Sequence, residues 1–336
     1  MTRKFITVFG GSGFIGRHLV NHLATEGWLV RVAVRDIEAA AFLKPLGKPG
    51  QITPWPVDVL DLSQVILSLN DSYAAVNLVG ALLEKDRYTF ENLHAEGAKN
   101  IALAVKETGC RRLIHISALG ASENSNAKYS RTKAQGELIT SRIFPDSTIV
   151  RPSVVFGPQD KFFNLFAGLM RFLPAMFVVG APFLPKLVIS ETGDIKIDIL
   201  GDGGPKFQPV YVGDVVSAIL AILKNFETAG KIYELGGPTQ YSFAEIFQLV
   251  LKITGRKRIL LPMPFWLAKF QAYLLSLLPE PILTGDQVEL MKTDNLVSND
   301  ALGLIDLGVE LTPAEAILPT YLYKYGLKAN RGLYRD

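Results

Sequence analysis

Near the N-terminus an apolar run, Phe5-Ile6-Thr7-Val8-Phe9, breaks into Gly10-Gly11-Ser12-Gly13-Phe14-Ile15-Gly16 and continues with Leu19, Val20 and Leu23 at helical spacing. No other stretch restricts the fold as much. A strand that ends in a glycine turn and resumes at once as a helix needs one glycine for the bend. It needs another for close approach of the backbone to a bound group, and a third for contact between helix and strand. The free N–H groups and dipole at the start of such a helix favour a phosphate. Two registers fit: Gly11, Gly13 and Gly16 give G-x-G-x-x-G, while Gly10, Gly13 and Gly16 give G-x-x-G-x-x-G. In either, Ser12, Phe14 and Ile15 belong to the turn that would meet a pyrophosphate. The plain alternative is an ordinary turn of an α/β domain.

Downstream, Trp28 to Val34 reads as a second strand and runs into Arg35-Asp36. At this distance from the glycines an acid binds a ribose 2′-hydroxyl, whereas Arg accommodates a 2′-phosphate. Arg35 therefore favours NADP(H) over NAD(H), and Asp36 keeps NAD(H) open; both residues would otherwise cap the next helix. Ile52 to Val57 is a third strand ending at Asp58, placed to meet adenine, and Asp61 is an N-cap candidate. A fourth strand, Ala74 to Gly80, brings Val79 and Gly80 beside the cofactor. A helix over 89–108 and a strand over Arg112–Ser117 follow. Strand and helix alternating without hairpin signals predict a Rossmann-type, doubly wound parallel sheet with helices on both faces, its ligand at the carboxyl ends of the strands.

Tyr129 and Lys133 are four apart in a predicted helix and share a face. An ammonium there would favour the phenolate and lower the Tyr pKa toward a value useful for proton transfer. With the Gly10, Gly13, Gly16 loop and the run Ile149-Val150-Arg151-Pro152-Ser153-Val154-Val155-Phe156-Gly157-Pro158, the chain resembles the extended or atypical branch of the short-chain dehydrogenase/reductase superfamily, from Phe5 to about Gly237. That run looks like the branch's sixth-strand motif, which adds Pro152 to the cofactor-binding positions. The resemblance implies Tyr129 as general acid or base and Lys133 as holder of the nicotinamide ribose. It also implies a hydroxyl after the fifth strand. Here that segment is Ser117-Ala118, with Ala118 at the usual position and Ser117 or Ser122 as substitutes.

Phe162 to Phe166, Lys206 to Val215 and Thr284 to Asn295 are similar to a narrower group, the NAD(P)H-binding accessory subunits of respiratory complex I and their bacterial relatives. That implies a nucleotide that is structural or slowly turned over, with respiratory complex I subunits or a membrane surface as partners. The alternative is an active oxidoreductase, epimerase or dehydratase on an apolar, quinone-like or lipid-like substrate, with Tyr129 as acid/base.

A net charge of +3 with scattered Lys and Arg offers nucleic acid no basic patch. Cys110 is the single cysteine, and four scattered histidines show no metal-ligand spacing. The N-terminus enters the first strand at once, leaving no room for a signal peptide, so a cytoplasmic location is expected, free or peripheral to the inner face of the cytoplasmic membrane. The mean hydropathy of +0.23 is high, and Phe172–Ile189 and Ile259–Leu283 supply the excess, but prolines break both before either can span a bilayer. Within the second, Phe265–Leu278 reads as a helix apolar nearly all round, for which burial is the default. Residues 1–157 and 205–237 are expected to form the dinucleotide-binding domain. Residues 158–204 and 238–325 form a smaller, mostly helical domain, and 326–336 a tail. Between Pro174 and Pro205 extra material includes a strand at Ile195–Leu200 before the turn Gly201–Gly204.

Overall fold

The computed structural model describes residues 5–182, 186–189, 195–278 and 281–327. In chain order, β1 (Phe5–Phe9), α1 (Phe14–Thr25), β2 (Leu29–Val34), β3 (Ile52–Pro56), α2 (Leu62–Leu69), β4 (Ser72–Asn77), α3 (Gly97–Thr108), β5 (Arg112–Ile116), α4 (Lys128–Ile143) and β6 (Thr148–Pro152) open the fold. After β7 (Val155–Phe156) come α5 (Phe162–Phe172), β8 (Ala175–Val179), β9 (Lys186–Ile189), β10 (Ile195–Asp198), β11 (Lys206–Phe207), β12 (Val210–Tyr211), α6 (Val212–Lys224) and β13 (Ile232–Leu235). The described strands and α-helices end with β14 (Tyr241–Ser242), α7 (Phe243–Thr254), β15 (Ile259–Met263), α8 (Phe265–Leu275), α9 (Gly285–Leu290) and α10 (Ala314–Leu322).

Two compact units result. One comprises Met1–Pro152, Val212–Leu235 and Val297–Leu311; the other comprises Ser153–Tyr211, Gly236–Leu296 and Thr312–Asp336. The first holds a seven-stranded sheet in the order β13-β6-β5-β4-β1-β2-β3, with every pairing parallel. Ile6, Val8 and Phe9 of β1 are wholly buried and β5 is buried throughout, which is the pattern of a sheet covered on both faces. Pro54 and Pro56 are tolerated because β3 is an edge strand. Chain order reverses at β1, between β4 and β2, and this opens a crevice at the carboxyl ends of β1 and β4.

The division by sequence put 153–157, 205–211 and 236–237 in the dinucleotide-binding domain, but they belong to the second unit; it put 297–311 in the smaller domain, whereas here that segment joins the sheet unit. The cause is a backbone contact with no side-chain signature: Glu234 N–H donates to Leu302 O at 2.8 Å, covering the outer edge of β13. Ser298 N–H adds a bond to Glu234 Oε2 at 2.9 Å. Of the expected tail, residues 328–336 lie outside those described.

In the second unit α5, α7 and α10 enclose Phe163, Phe243, Phe247 and Leu318. Ser242 caps α7 through a full capping box with Glu245. The strand expected in the inserted material is β10, antiparallel to β9. α8 departs from the expectation of burial. It turns Ala268 and Ala272 inward and leaves Trp266, Phe270 and Tyr273 exposed, because its small residues, not its large ones, share the face toward the unit. No helix among the described residues is long and apolar enough to cross a membrane.

Candidate functional site

All the residues that follow belong to the first unit. Gly10 has φ +74°, open to glycine without strain, and Gly13 N–H donates back to Gly10 O at 3.0 Å. A Cβ on Gly16 would stand 2.5 Å from Gly10 O and 2.6 Å from Gly11 Cα, so only glycine lets α1 sit this close to the loop. Gly11 differs in kind, since its Cβ would meet Val32 Cγ1 at 2.7 Å, inside the core. Gly10, Gly13 and Gly16 therefore frame the turn, and Gly11 is a packing glycine. Gly13 caps α1 with no side chain, and the first turn holds no acid. The N–H groups of Phe14 and Ile15 and the positive end of the helix dipole are left to whatever anion the turn receives. Ser12 lends its carbonyl to Arg17 Nη2 at 3.3 Å.

At the end of β2, the exposed Arg35 holds its guanidinium 4.1 Å from the centre of the Tyr88 ring. Asp36 is occupied locally, its Oδ1 accepting from Glu38 N–H at 3.0 Å and Ala39 N–H at 2.9 Å. Asp58, just past β3, uses both oxygens. Oδ1 accepts from Leu60 N–H at 3.0 Å, and Oδ2 takes the Tyr88 hydroxyl at 3.1 Å together with the Arg87 guanidinium. Nothing local in the sequence ties Arg87 and Tyr88 to a carboxylate about thirty positions earlier.

A buried polar chain links the ends of β4 and β5 to α4. Asn77 Oδ1 accepts from Val79 N–H at 3.0 Å, which orients the amide so that Nδ2 donates to His115 Nδ1 at 3.0 Å. The proton of His115 is then on Nε2, which is buried without a partner. Ala81 N–H donates to His94 Nε2 at 3.3 Å, so His94 Nδ1–H donates to Thr132 Oγ1 at 2.9 Å, and Thr132 donates onward to Tyr129 O at 3.1 Å. Gly80 packs closely against the lysine, since a Cβ there would stand 3.2 Å from Lys133 Nζ. Lys133 itself donates to Ile116 O at 3.1 Å. His94 stacks on Phe90 at 5.4 Å and meets the Tyr129 ring edge-on at 5.2 Å.

Local structure explains this convergence. Glu91–Glu96 form a π-turn ahead of α3, the kind of helical irregularity that often sits at functional sites. Gly136 of α4 lies so close that a Cβ would be 2.2 Å from His94 O.

Burial governs the titrations. It pushes His94 down to about 2 and His115 to about 3, with Lys133 adding to both, and it lowers Lys133 to about 8 against the pull of Glu137. Burial also raises the Tyr129 phenol to about 12. The direction is opposite to the lowering expected from Lys133, because desolvation of the phenolate is what sets it. Ser117 is anchored by its N–H to Val150 O at 2.8 Å, while its hydroxyl is buried without a hydrogen-bond partner. Pro152 ends β6, buried, its carbonyl accepting from Leu119 N–H at 2.9 Å. Among the described residues no group of His, Cys, Asp and Glu could hold a metal ion.

The fold and the glycine turn define a class. Residues 6–236 match the model of the NAD dependent epimerase/dehydratase family, and the chain belongs to that family, within the short-chain dehydrogenase/reductase fold. It is 35% identical to the mitochondrial NADH dehydrogenase (ubiquinone) 1 alpha subcomplex subunit 9 of Rattus norvegicus over 311 residues, 92% of this chain and 77% of the relative. It is 31% identical to the mitochondrial NADH-ubiquinone oxidoreductase 40 kDa subunit of Neurospora crassa, covering 96% of this chain and 80% of that one. Among solved structures, DesIV, the dTDP-glucose 4,6-dehydratase of Streptomyces venezuelae with NAD bound, matches with a TM-score of 0.70 over 98% of this chain and 99% of its own, at 19% identity. That last likeness is one of fold.

Proposed function

We propose that this protein holds NADP(H) as a structural or slowly exchanged group and serves as an accessory or assembly subunit of a complex-I-type respiratory enzyme, on the cytoplasmic side. The observation that carries the reading is Ala118, which stands in the segment after β5 where the fold's enzymes place a hydroxyl, with the Tyr129 phenol held above its ordinary value by desolvation. Such a site binds better than it transfers protons. The two relatives named as subunits of NADH dehydrogenase (ubiquinone) and NADH-ubiquinone oxidoreductase support the physiological half of the proposal.

The residues fit the nucleotide. The Gly10, Gly13, Gly16 cradle and the N–H groups of Ser12, Phe14 and Ile15 would take the pyrophosphate. Arg35, swung from Tyr88, would take the 2′-phosphate, and Asp58 would border the adenine. Val79, Gly80 and Pro152 would flank the nicotinamide half, with Lys133, still mostly charged near neutral pH, donating to its ribose. A bound nicotinamide supplies hydride transfer.

Extraction of the nucleotide that copurifies should yield NADP(H). Arg35→Ala should weaken NADPH far more than NADH, and equal losses would refute the assignment of the 2′-phosphate. Retention of both Tyr129 and Lys133 favours a second reading, an active oxidoreductase, epimerase or dehydratase on an apolar substrate, in which Tyr129 exchanges its phenolic proton with substrate. Turnover of a quinone or carbonyl panel that disappears in Tyr129→Phe would establish that reading and exclude the first.

A further inference from the structure

The second unit carries an apolar surface that its own core does not cover. β8 and β15 pair in parallel with Phe177 opposite Leu261. Both of these side chains are exposed, while Met176, Val178 and Met263 on the other side are buried. Where the ribbon begins, Ile259 N–H donates to Pro174 O at 3.3 Å, and the surface is extended by the exposed Ile259 and by Phe172, 82% exposed. α8 starts directly after β15 and presents Trp266, Phe270 and Tyr273, 68%, 57% and 69% exposed, at positions i, i+4 and i+7 of one face. Folding alone gives no reason to turn alanines inward and aromatics outward, and apolar patches of this kind mark interaction sites.

Charge identifies the occupant. Between positions 161 and 182, and again between 246 and 279, the sequence holds no Asp or Glu, although the whole chain has 35 basic and 32 acidic residues. The same windows contain Lys161, Arg171, Lys252, Arg256, Lys257 and Arg258, and Lys269, which pairs with Glu289. Several of these cations gather at the Phe172 end of the ribbon. Arg258 Nε donates to Met170 O at 2.9 Å, the Arg171 guanidinium lies 5.6 Å from the Phe172 ring, and Arg256 feels the charges of both arginines.

Phe, Ile and Leu side chains suited to hydrocarbon, Trp and Tyr suited to the headgroup layer, and guanidiniums suited to lipid phosphates are the three parts of an interfacial membrane anchor. We propose that the β8/β15 face and the outer stripe of α8 seat this protein peripherally on an anionic phospholipid bilayer. The proposal is independent of nucleotide binding.

The test uses the full chain and protein-free vesicles of phosphatidylcholine, alone or mixed with phosphatidylglycerol. The protein should sediment with the anionic vesicles only, less so as salt rises. Arg256→Glu/Arg258→Glu should lower that partitioning on the order of 10- to 100-fold. Trp266→Ser/Phe270→Ser should lower it at every salt concentration. Fluorescence lost on brominated acyl chains, and not lost in Trp266→Phe, places Trp266 at the lipid. Trp266 and Phe270 are exposed, whereas Arg256 and Arg258 are half-buried and donate to Tyr325 O and Met170 O, so an unchanged melting temperature is required of each variant to verify folding. Failure to bind anionic vesicles, wild-type binding by both double variants, or binding only to membranes that carry respiratory proteins would overturn the proposal, the last by assigning the face to a protein partner.

Discussion

His94 shows how a single side chain can couple the site to solvent conditions. Its Nε2 accepts from Ala81 N–H and its Nδ1–H donates to Thr132, a pattern only the neutral imidazole can make. The folded-state pKa is depressed to about 2, so the unfolded chain takes up a proton as pH falls through 6.5 while the folded chain does not. Stability is therefore whole above about pH 6.5 and is lost progressively below it. Urea denaturation at neutral pH and near pH 5 should show His94→Gln losing on the order of 2 kcal/mol less than the parent between the two conditions. Parallel losses would remove His94 from the acid sensitivity. Nothing in the sequence marks this histidine: Phe90 and His94 lie four apart in an apolar-rich helical stretch, and only the tertiary packing of α4 brings Thr132 and Tyr129 to them.

The elements differ in how legible they were, and for physical reasons. Caps and glycines act locally, so Asp61, which accepts from Gln64 N–H at 3.2 Å, Ser242 and the Gly10 turn could all be read from neighbouring residues. Alternation of apolar strands likewise announced the parallel sheet. The π-turn at Glu91–Glu96 has no such local signature, nor does the proximity of Gly136 to His94 O, and the inverted face of α8 contradicts the pattern rule itself. α4 and the π-turn are expected to act as one packed pair. Gly136→Ala should cost about 1–3 kcal/mol, because backbone and not a flexible side chain meets the new methyl. It should weaken nucleotide binding as well, by displacing Tyr129 and Lys133. A calorimetric melt with unchanged midpoint and unchanged NADPH affinity would show that the two elements are not coupled.

At the scale of the whole molecule, the nucleotide-binding candidates all lie in the first unit, and the apolar, basic surface lies in the second. Each unit has its own core, so their responses can be measured separately. A ligand that binds only the folded first unit stabilises it by about 2.7 kcal/mol at a hundredfold excess over Kd. Hydrogen exchange should accordingly show NADPH protecting β1, β4 and α4, while α8 and β15 stay unchanged. Vesicles should do the reverse. Protection of both units by either ligand would mean that the two sites are energetically linked.

The π-turn also sets the phase of a helix. An α-helix advances about 100° per residue, so a residue added within its ladder rotates everything before it relative to everything after it. Glu91–Glu96 uses that offset to let one continuous helical segment answer two demands. α3 keeps Ile101, Ala102 and Val105 in the core, while Phe90 and His94 point at Tyr129. A regular helix in this place would have to give up either its seat on the sheet or its place beside the phenol.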